Sequence, residues 1–119
     1  MQRLWYLAFA GVLLTSACTI ETNVDDAATL EITNESSATI WELYVAPISA
    51  LSWGLDELGA TVLDPGESVL VFDVPCDFNE VLLVDFDGDE CLLDSEWYCD
   101  EDYAIYIYDS TLSGCPYFD

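Results

Sequence analysis

The chain has 119 residues, of which 24 are Asp or Glu against a single basic residue, Arg3, and no histidine, so its net charge is −23 at neutral pH. So negative a surface repels phosphate, which excludes nucleic acid and direct docking on anionic lipid headgroups and leaves cations and basic proteins as charged partners. Disorder is excluded too, because 53% of the residues are hydrophobic, with seven Tyr, five Phe and four Trp to bury.

Residues 1–17 have the layout of an export signal: Arg3, an apolar run from Leu4 to Leu14, then the small residues Thr15, Ser16 and Ala17. As a helix that run rises only about 16 Å, short of a hydrocarbon core of roughly 30 Å, so it is read as a removed signal and not as a permanent span. Leu14-Thr15-Ser16-Ala17-Cys18 resembles the lipobox of bacterial lipoproteins. The resemblance implies that Cys18 receives diacylglycerol and becomes the new N-terminus, anchoring the protein in the cell envelope. In a host with two membranes it implies transport to the outer one. The alternative is ordinary cleavage near Ala17 with Cys18 a bare thiol. Cysteine arithmetic favours the lipid: of five cysteines, setting Cys18 aside leaves Cys76, Cys91, Cys99 and Cys115, which can pair fully in an oxidising compartment.

Residues 18–29 carry Glu21, Asp25 and Asp26 among small polar residues without a periodic apolar face. They read as an acidic tether from the lipidated cysteine, able to extend at most about 33 Å. Residues 30–119 form the folded domain. Short alternating segments predict strands: Leu30 and Ile32 around Glu31; Trp41, Leu43 and Val45 around Glu42 and Tyr44; Leu70, Phe72 and Val74; Glu80 to Phe86; Asp89 to Leu93; and Tyr103 to Tyr108. Asp64-Pro65-Gly66 is a turn signal ahead of the third. Between the second and third, Ile48 to Gly59 predicts a loop with a short helical turn and Trp53 as a packing plug. Six or seven strands at this spacing make the chain all-β, a small antiparallel β-sandwich containing disulfides.

Ile32-Thr33-Asn34, Leu43-Tyr44-Val45, Trp53-Gly54, Leu58-Gly59, Leu63-Asp64-Pro65-Gly66 and Val84-Asp85-Phe86-Asp87-Gly88-Asp89 together resemble a group of small exported bacterial β-domains, often found in lipoproteins. The resemblance spans roughly residues 30 to 108 and rests on turn and core residues. It implies the fold and the compartment, and it brings no activity with it.

Asp87-Gly88 reads as a two-residue hairpin turn, since Asp-Gly supplies positive φ values. That sets Phe86 opposite Asp89 and, by the same count, Asp85 opposite Glu90, Val84 opposite Cys91, and Cys76 opposite Cys99. The expected disulfides are therefore Cys76 with Cys99 and Cys91 with Cys115, over the two other connectivities. Asp85, Asp87, Asp89 and Glu90 form the densest acidic cluster on a definable structure, and alternating carboxylates around a glycine can converge on a hard cation such as calcium. The twelfth position of a calcium loop is filled by Glu96, on the wrong side of a strand, so the pattern departs from an EF-hand. Asn34-Glu35-Ser36 matches a glycosylation acceptor but reads as a turn. Tyr44, Trp97, Tyr98, Tyr103, Tyr106 and Tyr108 could line up as a sugar-binding platform or close a second core face.

Catalysis has little to draw on, because serine and threonine lack histidine or lysine as a base. The chain is read as a non-catalytic binding or structural module of the envelope, with no cofactor required. A calcium-binding surface domain is the first alternative, and a small carboxylate-dependent glycosidase a distant one.

Overall fold

A computed structural model describes residues 27–119. The expected export signal, Cys18 and most of the expected tether lie outside the described residues. Among the described residues there are seven strands, β1 (Ala28–Asn34), β2 (Glu42–Pro47), β3 (Ser68–Val74), β4 (Asp77–Val84), β5 (Glu90–Leu92), β6 (Glu96–Tyr98) and β7 (Asp102–Ile107), followed by a one-turn helix, α1 (Asp109–Leu112). They form two sheets, one of three strands in the order β3-β1-β7 and one of four in which β4 is flanked by β2 on one side and by β5 and β6 on the other. The all-β sandwich expected from the alternation is thus the fold. Ala28 is already a fully buried strand residue, so β1 starts inside the stretch read as tether.

β1 alternates buried and more open positions along its length, and its buried set of Ala28, Leu30 and Ile32 meets Val71, Val74 and Ile107 of its neighbours. Leu43, Val81, Leu83 and Cys91 face them from the second sheet, while Ile40, Leu58, Leu63 and Leu112 close the ends. These fully buried aliphatic side chains are worth roughly 1.5–3 kcal/mol each, which is what stabilises so small a domain. β4 is buried on both faces over Val81 to Val84, because Leu82 on its outer side lies between Tyr44 and Leu92 of the adjacent strands.

Three departures from a plain antiparallel sandwich have physical causes. β1 pairs with β7 in parallel, Leu30 beside Tyr103 and Asn34 beside Ile107, because the chain crosses from the second sheet back to the first before β7 begins. β3 bulges between its pairings with Ala28 and Leu30, and there Asp73 takes φ 58°, a left-handed value that aspartate tolerates better than most residues. β6, absent from the expected strands, pairs Asp77–Asn79 with Glu96–Tyr98 on the same edge of β4 as β5. The loop after β2 contains turns and no helix. It runs along the β2 edge, where Asp56 Oδ1 accepts the Leu43 N–H at 2.9 Å and the Glu57 N–H donates to the Leu43 carbonyl at 2.7 Å. The edge strand is thereby covered.

Disulfides join Cys76 to Cys99 and Cys91 to Cys115. The first clamps the β3–β4 turn to the end of β6, and the second ties β5 to the segment beyond α1. The turn at Asp64-Pro65-Gly66 is closed by the Glu67 N–H donating to the Asp64 carbonyl at 3.0 Å, with Gly66 at φ 89° as the third residue of a type II turn requires.

Candidate functional site

In the acidic hairpin the Asp85 carboxylate binds backbone amides. The Asp85 N–H donates to the Asp89 carbonyl at 3.0 Å and Gly88, at φ 87°, donates to the Asp85 carbonyl. Asp85 is therefore opposite Asp89, the loop is the three residues Phe86, Asp87 and Gly88, and every pair up the hairpin is shifted by one: Val84 faces Glu90 and Leu83 faces Cys91. A type I turn closed by a left-handed glycine has this length, and one extra loop residue is all that separates it from the two-residue form.

Asp85 is 2% exposed. Its Oδ1 accepts the N–H groups of Asp87 and Asp89, both at 2.9 Å, and its Oδ2 accepts the Asp119 N–H at 2.8 Å. The carboxylate is used up in binding backbone amides, so it organises the turn and fastens the tail. Asp87, Asp89 and Glu90 do not converge with it, and among the described residues no three Asp, Glu or Cys side chains could hold a metal ion. The expected calcium ligands Asp85, Asp87, Asp89 and Glu90 thus do not form such a group, and three of the roughly four acceptor positions of the Asp85 carboxylate are taken by backbone amides.

Asn34 has a comparable role at the end of β1. It is fully buried; its Nδ2 donates to the carbonyls of Ala38 (2.7 Å) and Leu63 (3.0 Å), and its Oδ1 accepts the Ser36 N–H (3.0 Å) and hydroxyl (2.6 Å). The Asn-Glu-Ser tripeptide is a turn built around a saturated amide.

The two features frame one end of the sandwich, and a cleft of about 630 Å³ opens there between the 37–41 segment, the Phe86 tip and the tail from Asp109 to Asp119. Trp41 and Phe86 stand on one wall with ring centroids 5.0 Å apart and planes tilted by 57°. Trp41 was expected on the core face with Leu43 and Val45; it lies just before β2 and is 42% exposed. In the same lining Asp109 Oδ1 accepts the Ser37 N–H at 2.8 Å and the Ser37 hydroxyl at 2.9 Å, and these donors hold its carboxyl below the usual aspartate value. Cys115 and Pro116 complete the tail side, fixed by the disulfide to β5.

The aromatics considered for a platform do not share one. Tyr106 and Tyr108 stack at 6.2 Å beside the three-stranded sheet, whereas Trp97 packs edge-on against Phe78 of the other sheet. Tyr98 meets Tyr103, whose hydroxyl donates to the Cys99 carbonyl, and burial followed by the nearby Glu96 pushes the Tyr98 phenol up. Tyr44 donates to Glu42 within β2, and that bond, with partial burial and surrounding carboxylates, raises its phenol to about 12. The cleft residues Trp41, Phe86, Asp109 and Asp119 escaped the sequence reading because three separate chain segments bring them together. The available signal was the placement of Trp41 and Phe86 beyond the ends of their strands.

The chain matches no family model, no curated protein and no solved structure.

Proposed function

We propose that the chain is an exported protein anchored in the cell envelope by a lipid on Cys18, and that its β-sandwich is a binding or structural module without catalysis of its own. The observation that carries this reading is the cysteine accounting: the two disulfides take up Cys76, Cys91, Cys99 and Cys115, so Cys18 alone of the five has no place in the disulfide framework. Paired cysteines favour an oxidising compartment, and a single cysteine directly after an apolar segment is where a lipid would be attached. A domain without histidine, lysine or arginine has no conventional general base for a hydroxyl nucleophile. In a host with two membranes the outer one is the proposed destination. The test is expression of the full chain in a bacterial host. Intact mass should fit a chain starting at Cys18 with added acyl mass, and Cys18→Ser should move the protein from membranes to the soluble fraction. Recovery of unmodified wild-type protein in the soluble fraction would overturn the reading.

A further inference from the structure

We propose that the cleft at the Trp41 end of the sandwich receives a basic peptide segment, a lysine or arginine side chain lying against the Trp41 and Phe86 rings; this deepens the reading of the chain as an envelope binding module and rests on it. The ring pair is tilted by 57°, so the two faces diverge and neither covers the other, and Phe86 is 72% exposed. Asp109 and Asp119 line the same cleft. Aromatic faces and carboxylates lining one cleft suit an alkylammonium or guanidinium, which is attracted by the ring quadrupole and by the opposite charge together.

Charge complementarity selects this occupant. No described residue is Lys, Arg or His, so nothing within the domain competes for the rings or the carboxylates, and an anionic ligand would find no cation to meet it. A neutral sugar could stack on Trp41 but would gain nothing from the negative field of the domain, which draws basic partners in. A bare metal ion is disfavoured, since no three carboxylates converge among the described residues. At about 630 Å³ the cleft has room for several side chains, which fits a peptide segment better than a single small amine. Its position agrees with this. β1 enters at Ala28 and finishes at Asn34 beside the cleft, so a chain tethered through Cys18 would present the cleft at the end of the domain remote from its anchor.

The experiment is calorimetric titration of the full chain in nonionic detergent with an acetylated, amidated Gly-Lys-Gly-Arg-Gly-Lys-Gly peptide, its glutamine analogue, and maltoheptaose. The basic peptide is expected to bind, with affinity falling as salt is raised. Trp41→Leu combined with Phe86→Leu keeps apolar bulk but removes the ring faces, and should weaken binding about tenfold. Asp119→Asn should weaken it by a smaller factor. Glu31→Gln with Asp102→Asn removes two charges from the outer face of the three-stranded sheet and should change affinity by no more than about twofold. Equal losses from the cleft and the distant pair would reduce the effect to diffuse attraction and overturn the proposal, as would absence of binding or preference for the glutamine peptide or the sugar. Thermal melts of each variant guard against a trivial loss through unfolding. The outcome is independent of the Cys18 experiment, so failure of the cleft and failure of the anchor are told apart.

Discussion

Replacing Asn34 by alanine should be among the most damaging single changes in the domain, and its size follows from the bonds its amide makes. Four hydrogen bonds are lost. The Leu63 carbonyl keeps the Ile40 N–H at 3.0 Å and the Ala38 carbonyl keeps a long bond from the Ser36 hydroxyl, so these two acceptors are weakened but not stranded. The Ser36 N–H has only Asn34 Oδ1 as partner, and Ser36 is 4% exposed. A stranded buried donor costs about 1–3 kcal/mol, and two further bonds at about 1 kcal/mol each bring the expected loss to roughly 3–5 kcal/mol. Against a typical domain stability of about 5–15 kcal/mol this is a large share. At about 4–8 °C per kcal/mol for a domain of this length, the melting temperature should fall by roughly 12–40 °C. Thermal unfolding followed by circular dichroism, with disulfides intact, measures it. Asn34→Asp sharpens the comparison: it keeps the acceptor for Ser36 but turns a second oxygen toward two carbonyl oxygens, so at neutral pH it should be at least as damaging as alanine. A loss under about 1 kcal/mol for Asn34→Ala would refute the view that this amide holds the β1 end together.

Other outcomes follow from the same structure. Tyr44 should remain protonated to about pH 12, and Tyr44→Phe should remove that late component from a spectrophotometric titration at alkaline pH. Because its folded value is raised above the unfolded one, the stability it contributes is present below pH ~10 and is lost as pH rises through about 12. Asp109 has the opposite sign: its lowered folded value means that its contribution is held above the unfolded pKa and lost as pH falls through the folded one, and Ser37→Ala should move its carboxyl resonance titration back toward ordinary aspartate. Replacing Cys91 and Cys115 together by alanine should destabilise the domain by roughly 3 kcal/mol, and non-reducing peptide mapping should join Cys91 to Cys115 and Cys76 to Cys99. Monovalent salt near 1 M, where the Debye length is about 3 Å, should raise the melting temperature of so negative a domain; no response would show that its carboxylates are already well separated.

Much of the fold was legible because half-buried strands announce themselves by alternation, as β1 does. β6 was not, since Glu96-Trp97-Tyr98 is too short to show a period and its outward aromatics mimic a loop. The hairpin register failed by one residue: Asp-Gly serves both two- and three-residue turns, and only the Asp85 carboxylate, capping the amides of Asp87 and Asp89, selects the longer one. The pairing of Cys76 with Cys99 was nevertheless reached by that count, because a compensating irregularity between β5 and β6 restores the expected alignment at Phe78 and Trp97. The cleft was illegible for a different reason. Its walls are contributed by the segment before β2, a hairpin tip and a disulfide-pinned tail, and no local pattern encodes their meeting.

The parallel pairing of β1 with β7 has a consequence for the order in which this molecule can come into being. The first strand occupies the centre of its sheet and needs the last strand to cover one of its two edges, so some seventy residues must be available before Leu30 meets Tyr103. Contacts this distant in sequence form slowly, because the intervening chain must be closed into a loop before any of them stabilises it. Until β7 arrives, β1 has only β3 to lean on, and neither disulfide exists in a reducing cytosol. The three-stranded sheet is therefore completed late, once the segment that carries β7 is available to pair with β1.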